Sequence, residues 1–292
     1  MPSIDRSAPE RSLPAAQRGA RTLPTILEHF GLNYMPFSES NPSLEHCFMS
    51  RDMKQTISMV DHAAREKGIS ILCGDSGHGV TYAQSQAALK LHPSCQTVRY
   101  IPVFHVTERD LYKETCRVVG ASMNGKGRQA MITGIRDKAM LCQEQGHPLF
   151  LVYDHAENIP DPMILDLPAL VSGGLGFGHM MTVLLCGTRA LKWRLECFQD
   201  VSFRIHFSAK YTFSGLTEAE TKDYIRQQFT SAGATREVIT AEALDLTHSV
   251  SSSGNYKELN SIMRDAMRLC LQTRRPAIDK EILYAAVSNQ KL

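Results

Sequence analysis

The stretch ISILCGDSGHGVT, residues 69–81, contains the strongest structural signal in this sequence. It opens with a short apolar run, which is typical of a buried strand. A glycine-rich turn follows, and the next residues, 81–92, have the composition and periodicity of a helix. A strand, a glycine-rich turn and a helix in this order match the phosphate-binding pattern G-x-x-x-x-G-K-[ST], here from Gly74 to Thr81.

The residues of this loop differ in what they can contribute to anion binding. Gly74, Gly77 and Gly79 let the backbone curl so that N–H groups and the helix N-terminus bind phosphate oxygens, and Thr81 can ligate Mg²⁺. Val80 replaces the lysine that neutralises the β and γ phosphates, so we expect weakened binding and weaker hydrolysis. Taken alone, the loop is equally compatible with a plain strand-to-helix turn. The candidate nucleotide-binding residues here are Gly74, Asp75, Ser76, Gly77, His78, Gly79, Val80 and Thr81.

A second apolar run, PLFLVYD at 148–154, ends in an acid. At the carboxyl end of a central strand, Asp154 would hold Mg²⁺ through water beside the loop. His155 follows where nucleotide hydrolases usually have glutamate, and an imidazole polarises water without replacing a carboxylate. Glu157 is a candidate substitute acid, although we expect its side chain to point elsewhere. The alternative is that Asp154 only caps the next helix.

Apolar and amphipathic segments alternate along the middle of the chain. Strands are predicted at 69–74, 97–103, 148–154 and 181–187, and helices at 53–67, 108–120 and 130–146. Strands that alternate with helices form a parallel sheet covered on both faces, so the fold class is α/β with a three-layer core. The alternating stretch at 201–207 predicts an edge strand.

The pattern changes after Tyr211, where amphipathic helices follow one another without a buried strand between them. The first 22 residues are rich in Pro, Ser, Arg and Ala and show no period. We therefore predict a disordered arm at 1–22, an α/β core at 23–210 and a small all-helical region at 211–292.

Composition narrows the function classes. The 292 residues are 43% hydrophobic and 21% charged with a net charge of +2, so whole-protein charge gives no case for nucleic acid or membrane binding. No apolar run is long enough to cross a bilayer. The eight cysteines form no CxxC pair, which argues against a zinc ribbon and favours buried thiols in a reducing cytoplasm. Ser76 matches a hydrolase nucleophile turn only in part, and no triad can be placed around it.

Six segments, taken together, resemble the ExeA-type (general secretion pathway protein A) AAA+ ATPases, over about residues 26–288. They are FGLNYMPFSESNPSLEHCFMS (30–50), GDSGHGVT (74–81), LVYDHAENI (151–159), TVLLCGTRALKWRL (182–195), FSGLTEAETKDYIRQQF (213–229) and SSSGNYKELNSIMRDAMRLC (251–270). The resemblance implies a P-loop AAA+ core followed by a helical lid, with ATP or ADP and Mg²⁺ bound between them.

The resemblance also assigns roles to single residues. Thr188 falls at the sensor 1 position, and Lys257 stands where the family has the sensor 2 arginine, keeping the charge but losing the planar fork. Arg204 is the arginine in the segment where the family has its arginine finger. The implied catalytic set is Asp154, His155, Thr188 and Arg204, and the implied metal ligands are Thr81 and Asp154. Because the departures fall on groups that handle the γ-phosphate, hydrolysis is expected to be weak or absent, as in a pseudo-ATPase.

The resemblance implies partners as well. They are a second copy of the chain or an active AAA+ relative in an oligomer, DNA, and a transposase or secretion-machinery protein. A regulatory or assembly role in DNA transposition or secretion would follow. Two other interpretations stay open, namely a non-hydrolysing scaffold for an active relative and a DNA-binding module that needs no nucleotide.

Overall fold

The computed structural model describes residues 25–38, 47–91, 96–122, 125, 127–173, 178–198 and 205–290. The predicted arm at 1–22 and the predicted finger Arg204 lie outside these residues. No helix in the described part of the chain is both long and apolar enough to cross a membrane.

The described helices and strands alternate through the first two thirds of the chain. The strands are β1 (Gly68–Gly74), β2 (Thr97–Pro102), β3 (Leu149–Asp154), β4 (Thr182–Thr188) and β5 (Phe207–Thr212). The helices are α1 (Ile26–Phe30), α2 (Arg51–Glu66), α3 (Val80–Lys90), α4 (Glu108–Val119), α5 (Arg128–Glu144), α6 (Asp161–Val171), α7 (Arg189–Cys197), α8 (Glu218–Ser231), α9 (Ala241–Val250), α10 (Tyr256–Thr273) and α11 (Lys280–Asn289).

The five strands form one parallel sheet in the order β2-β3-β4-β1-β5. The expected α/β class with a parallel sheet and a helical C-terminal region is confirmed. Every residue of β1 and β3 is buried, as their continuous apolar runs predicted. β4 lies between these two strands, and their carboxyl ends face the same edge of the sheet.

The edge strand predicted at 201–207 is displaced along the chain. The observed strand β5 begins at Phe207 and pairs with β1 from Ile69 to Cys73. Ile205 and His206 form a turn before it. Because β5 has a neighbour on one side only, its half-exposed residues give a weak apolar alternation, and pairing with β1 decides where the strand runs.

Helices cover both faces of the sheet, which gives the three layers. One apolar cluster lies under α4 to α7 and contains Ile69, Ile71 and Tyr153. The opposite cluster lies under α2 and α3 and contains Leu72 and Phe150. Neighbouring residues of one strand thus enter opposite clusters, as the period of two requires.

A third apolar cluster is formed by α8 to α11. Phe30 and Phe37, which precede the sheet in the chain, are buried in this cluster and not in either sheet cluster. The predicted boundary between residues 210 and 211 stays a prediction, and the packing adds an amino-terminal segment to the helical region.

Candidate functional site

The glycine-rich loop and the acidic strand lie next to each other at the carboxyl edge of the sheet. The loop leaves β1 at Gly74, and Thr81 lies in the first turn of α3. The Thr81 hydroxyl donates a hydrogen bond to Asp154 Oδ1 over 3.3 Å. Two motifs that are 73 residues apart in the sequence therefore meet in one site.

The loop backbone has the conformation that its glycines permit. Gly77 and Gly79 have φ angles of +85° and +84°, a region that L side chains rarely adopt. Gly79 is the N-cap of α3, and no side chain caps this helix. The N–H groups of the first helical turn have no partner within a helix, so they are donors for an anion at the loop.

The side chain of Val80 turns into the protein instead of standing over the loop. It is 9% exposed and belongs to the cluster that also contains Phe213. A Cβ on Gly74 would lie 2.7 Å from both Val80 Cγ2 and Phe213 Cβ, so the three residues are tightly packed. The substitution of the pattern's lysine therefore adds an apolar contact beneath the loop and removes the ammonium that the pattern places at the β and γ phosphates.

Asp154 is 2% exposed, and both oxygens of its carboxylate accept hydrogen bonds. Oδ1 accepts from the Thr81 hydroxyl and, over 3.0 Å, from the backbone N–H of His155. Oδ2 accepts from the hydroxyl of Tyr100 over 2.7 Å. Burial and this carboxylate raise the pKa of Tyr100 well above its usual value, so the phenol stays a donor. Sequence reasoning missed Tyr100, whose place at the end of β2 was its only signal.

His155, Glu157 and Thr188 meet beside Asp154. His155 is exposed, with a left-handed φ of +56°, and its Nδ1 lies 3.9 Å from Glu157 Oε1. Glu157 Oε2 accepts from the backbone N–H of Thr188 over 3.1 Å. The expectation that Glu157 points elsewhere is wrong, because the short 3₁₀ turn Ala156–Asn158 carries its side chain back to the end of β4.

The amino end of α10 lies directly on the loop. Asn255 Nδ2 donates to the carbonyl of Ser76 over 2.7 Å, and the backbone N–H of Lys257 donates to the carbonyl of Gly77 over 3.2 Å. The side chain of Lys257 is exposed. The predicted sensor 2 residue therefore lies beside the loop, whereas Asn255 was not predicted to contact it.

The remaining loop residues make contacts on either side. Asp75 forms an ion pair with Arg189, Nε to Oδ1 2.8 Å, which the sequence did not indicate. His78 is buried, and its Nδ1 has no hydrogen-bond partner among the described residues. The ring of His78 faces Gly215, where a Cβ would lie 3.2 Å from Nε2. His78 thus fills the space between the loop and the chain that leads into α8.

A buried carboxylate fixes that connection. Asp52, in the first turn of α2, accepts from the Tyr211 hydroxyl over 2.6 Å and from the backbone N–H groups of Ser214 and Gly215 over 3.0 Å each. Since hydrogen bonds to a charged group are stronger than neutral ones, the segment between β5 and α8 is held against the sheet layers. The helical region is thereby anchored on the side of the loop.

The donor set at the centre of the site suits Mg²⁺ bound with a phosphate. Thr81 offers a hydroxyl and Asp154 a carboxylate, and both are hard oxygen ligands of the kind that holds Mg²⁺ together with waters and substrate phosphates. Elsewhere in the described part of the chain, no cluster of three or more His, Cys, Asp or Glu could hold a metal ion.

Comparisons with known proteins agree with this architecture. Residues 63–195 match the family model described as AAA domain. No curated protein matches the sequence significantly. The fold is similar to that of Cdc6p from Pyrobaculum aerophilum, at 16% identity, a TM-score of 0.65, and coverage of 83% of this chain and 67% of that chain.

Two proteins from Aeropyrum pernix are similar in fold as well. For the ORC2 protein in ADPNP-ADP complexes the identity is 15% and the TM-score 0.58, with 89% of this chain and 70% of that chain covered. For the ORC1 protein in complex with DNA the identity is 13% and the TM-score 0.57, with 91% and 68% covered. Identities this low establish a shared fold and nothing finer.

Proposed function

We propose, from the P-loop AAA+ fold of this chain and the AAA domain at 63–195, that the protein binds ATP or ADP with Mg²⁺ between its α/β core and its helical region. The observation that carries the proposal is the meeting of an intact glycine loop with Thr81 and Asp154 under the amino end of α10. Thr81 would ligate the ion, and Asp154 would hold its water.

Hydrolysis is proposed to be weak or absent. The loop has no lysine, His155 has no anionic form, and the Tyr100 hydroxyl already bonds Asp154 Oδ2. The loop keeps the backbone groups of a phosphate-binding site. Its N–H donors and the helix N-terminus bind phosphate oxygens without any side-chain charge. We therefore propose nucleotide binding as the main property of the site, with at most a weak catalytic contribution from Asp154, His155 and Thr188.

A glycine substitution in the loop tests this proposal. Gly79→Ala places a Cβ 3.6 Å from the ring of Tyr256, an ordinary contact, but at φ +84° it strains the loop. We expect ADP binding in calorimetry with MgCl₂ to weaken by about tenfold or more, because the N–H donors shift away from the phosphate.

The matched control is Gly120→Ala at the end of α4. Gly120 has φ +70° with open space around it, so the same strain of about 1 kcal/mol falls far from the loop. Nucleotide binding should be unchanged in this variant. If the unsubstituted protein gives no heat with ADP or ATP, or if both variants lose binding equally, nucleotide binding between the core and the helical region is refuted.

We further propose an assembly or regulatory role, in an oligomer of this chain or with an active AAA+ relative, as the resemblance to ExeA-type proteins implies. DNA is the second candidate ligand, because the similar ORC1 protein of Aeropyrum pernix is described in complex with DNA. On this chain, Lys192 and the 65% exposed Trp193 stand together on α7. If the protein binds DNA, its affinity for DNA should fall steeply as the salt concentration rises. A DNA affinity that is the same with and without nucleotide would favour a DNA-binding module over an ATPase.

A further inference from the structure

The charges around the loop are arranged unfavourably for a third phosphate. We infer that this site selects a nucleoside diphosphate over a nucleoside triphosphate, an inference that rests on the proposed function. Two independent changes carry it. The lysine that would reach the terminal phosphate is replaced by Val80, and the carboxylate of Glu157 is present at the neighbouring strand end.

The missing cation follows from the packing of Val80. In a phosphate-binding loop the backbone N–H groups cradle the α and β phosphates, whereas the lysine reaches the β and γ phosphates. Here the isopropyl group at that position is buried against Phe213, and Gly77 and Gly79 have a left-handed backbone. The part of the site that recognises a diphosphate is therefore retained, and the part that favours the third phosphate is absent.

The added anion is Glu157. Its carboxylate lies at the end of β4, where it accepts from the Thr188 N–H. Thr188 pairs with Gly74, the first loop residue, so the backbone N–H that binds this carboxylate lies on the strand next to the one that opens the loop. A γ-phosphate carried beyond the loop toward the ends of β3 and β4 would approach this charge.

Among the described residues, no lysine or arginine forms an ion pair with the Glu157 carboxylate, and the neighbouring His155, with Nδ1 3.9 Å from Oε1, carries a charge only when it is protonated. Arg189 is paired with Asp75. The guanidinium of Arg194 donates to the backbone carbonyl of Glu157 and pairs with Asp161, so it does not bind the Glu157 carboxylate. The ammonium of Lys257 is exposed, and in water its attraction for phosphate is screened.

The buried carboxylate of Asp154 also favours a diphosphate over a triphosphate. Asp154 has both carboxylate oxygens bonded by protein donors, and one of them is held by Tyr100. A Mg²⁺ ion held through water at Asp154 would share these acceptors with the protein, and its contribution to a triphosphate complex would be lower for that reason. A diphosphate carries less negative charge than a triphosphate, so its binding depends less on the charge that the ion supplies.

Calorimetric titration with ADP and ATP, each with MgCl₂ and with EDTA, tests the inference. We expect ADP to bind about tenfold or more tightly than ATP. Val80→Lys should tighten ATP binding by about tenfold and ADP binding by less. Glu157→Gln should also shift the ratio toward ATP, because glutamine keeps an oxygen acceptor for the Thr188 N–H and removes the charge.

The controls introduce a lysine and neutralise a glutamate at positions away from the loop. Leu89→Lys adds a lysine to the exposed far end of α3, and Glu66→Gln removes an exposed carboxylate at the opposite edge of the sheet. Neither should change the ratio of affinities. ATP binding as tight as ADP, or equal gains for both nucleotides in Val80→Lys, overturns the selectivity and leaves nucleotide binding intact. Binding of neither nucleotide to the unsubstituted protein and to Val80→Lys overturns the proposed function itself.

Discussion

Single side chains decide the chemistry at both edges of the sheet. At the carboxyl edge, the charge of the site depends on Val80, whose side chain is buried in the core, and on Glu157, whose carboxylate accepts from the backbone at the end of β4. At the amino edge, His179 Nε2 and His206 Nδ1 lie 3.0 Å apart. One imidazole must donate and the other accept, so the contact exists only while at least one ring is neutral.

The histidine pair predicts a loss of stability in acid. Burial and the neighbouring His179 lower the pKa of His206 below its ordinary value of 6.5. The unfolded chain therefore binds a proton at His206 before the folded chain does, and the free energy of unfolding falls as the pH drops through 6.5 toward the lower native pKa. We expect the melting temperature, followed by circular dichroism, to fall between pH 7.5 and 5.5.

The variant His206→Asn isolates this contribution. Asparagine keeps a hydrogen-bonding side chain but does not titrate, so the variant should lose less of its melting temperature over the same pH interval. Equal losses in the two proteins would assign the acid sensitivity to other groups.

At the scale of elements, the amino end of α10 links the helical region to the loop through one amide. Asn255 Oδ1 accepts from the backbone N–H of Glu258 and so caps the helix, while Nδ2 donates to the Ser76 carbonyl. A Cβ on Gly77 would lie 2.4 Å from Asn255 Oδ1, so only glycine allows this approach. Helix capping and loop position therefore depend on the same side chain.

Two substitutions at Asn255 separate these roles. Asn255→Asp keeps the cap, and a carboxylate is favourable at a helix N-terminus, so we expect global stability within about 0.5 kcal/mol of the original. Asn255→Ala should lose about 1 kcal/mol with the cap. Both remove the donor to Ser76, so hydrogen exchange at the amides of 75–79 should be faster in both. Unchanged protection of the loop in Asn255→Asp would show that the amide does not hold it.

At the scale of the whole molecule, the helical region is completed by residues from before the sheet. Phe37 is 1% exposed and its ring packs edge-on against Phe229 at 5.2 Å and Tyr224 at 6.1 Å. Its left-handed backbone is held by Gln228, which accepts from its N–H, and by Arg264, which donates to its carbonyl. The amino-terminal segment thus serves as a structural part of the C-terminal helices.

Removal of this ring should destabilise the protein strongly. Phe37→Ala is expected to lower the free energy of unfolding in urea by about 3–5 kcal/mol, because it leaves a cavity in the third cluster. Phe104→Ala makes the same change at a ring that is 62% exposed, and should cost less than about 0.5 kcal/mol. A small effect of Phe37→Ala, comparable to that of Phe104→Ala, would mean that the amino-terminal segment is not needed by the helices.

The sequence by itself determined the parallel α/β sheet, the glycine loop, the acid at the end of β3 and the succession of helices after Tyr211. Each of these depends on local patterns, because apolar period, glycine spacing and the end of an apolar run are set by neighbouring residues. The resemblance located Thr188 and Lys257 near the loop for the same reason, since both lie in short motifs at the ends of elements.

Only the tertiary structure decided what surrounds those motifs. Tyr100 and Asp154 are 54 positions apart, Glu157 and Thr188 are 31 apart, and Asn255 and Ser76 are 179 apart. No local pattern encodes such pairs, because each depends on how strands are ordered in the sheet and on where the helical region packs. The physical reason is that burial and long-range hydrogen bonding choose a side chain's direction, whereas the local sequence chooses only the element that bears it.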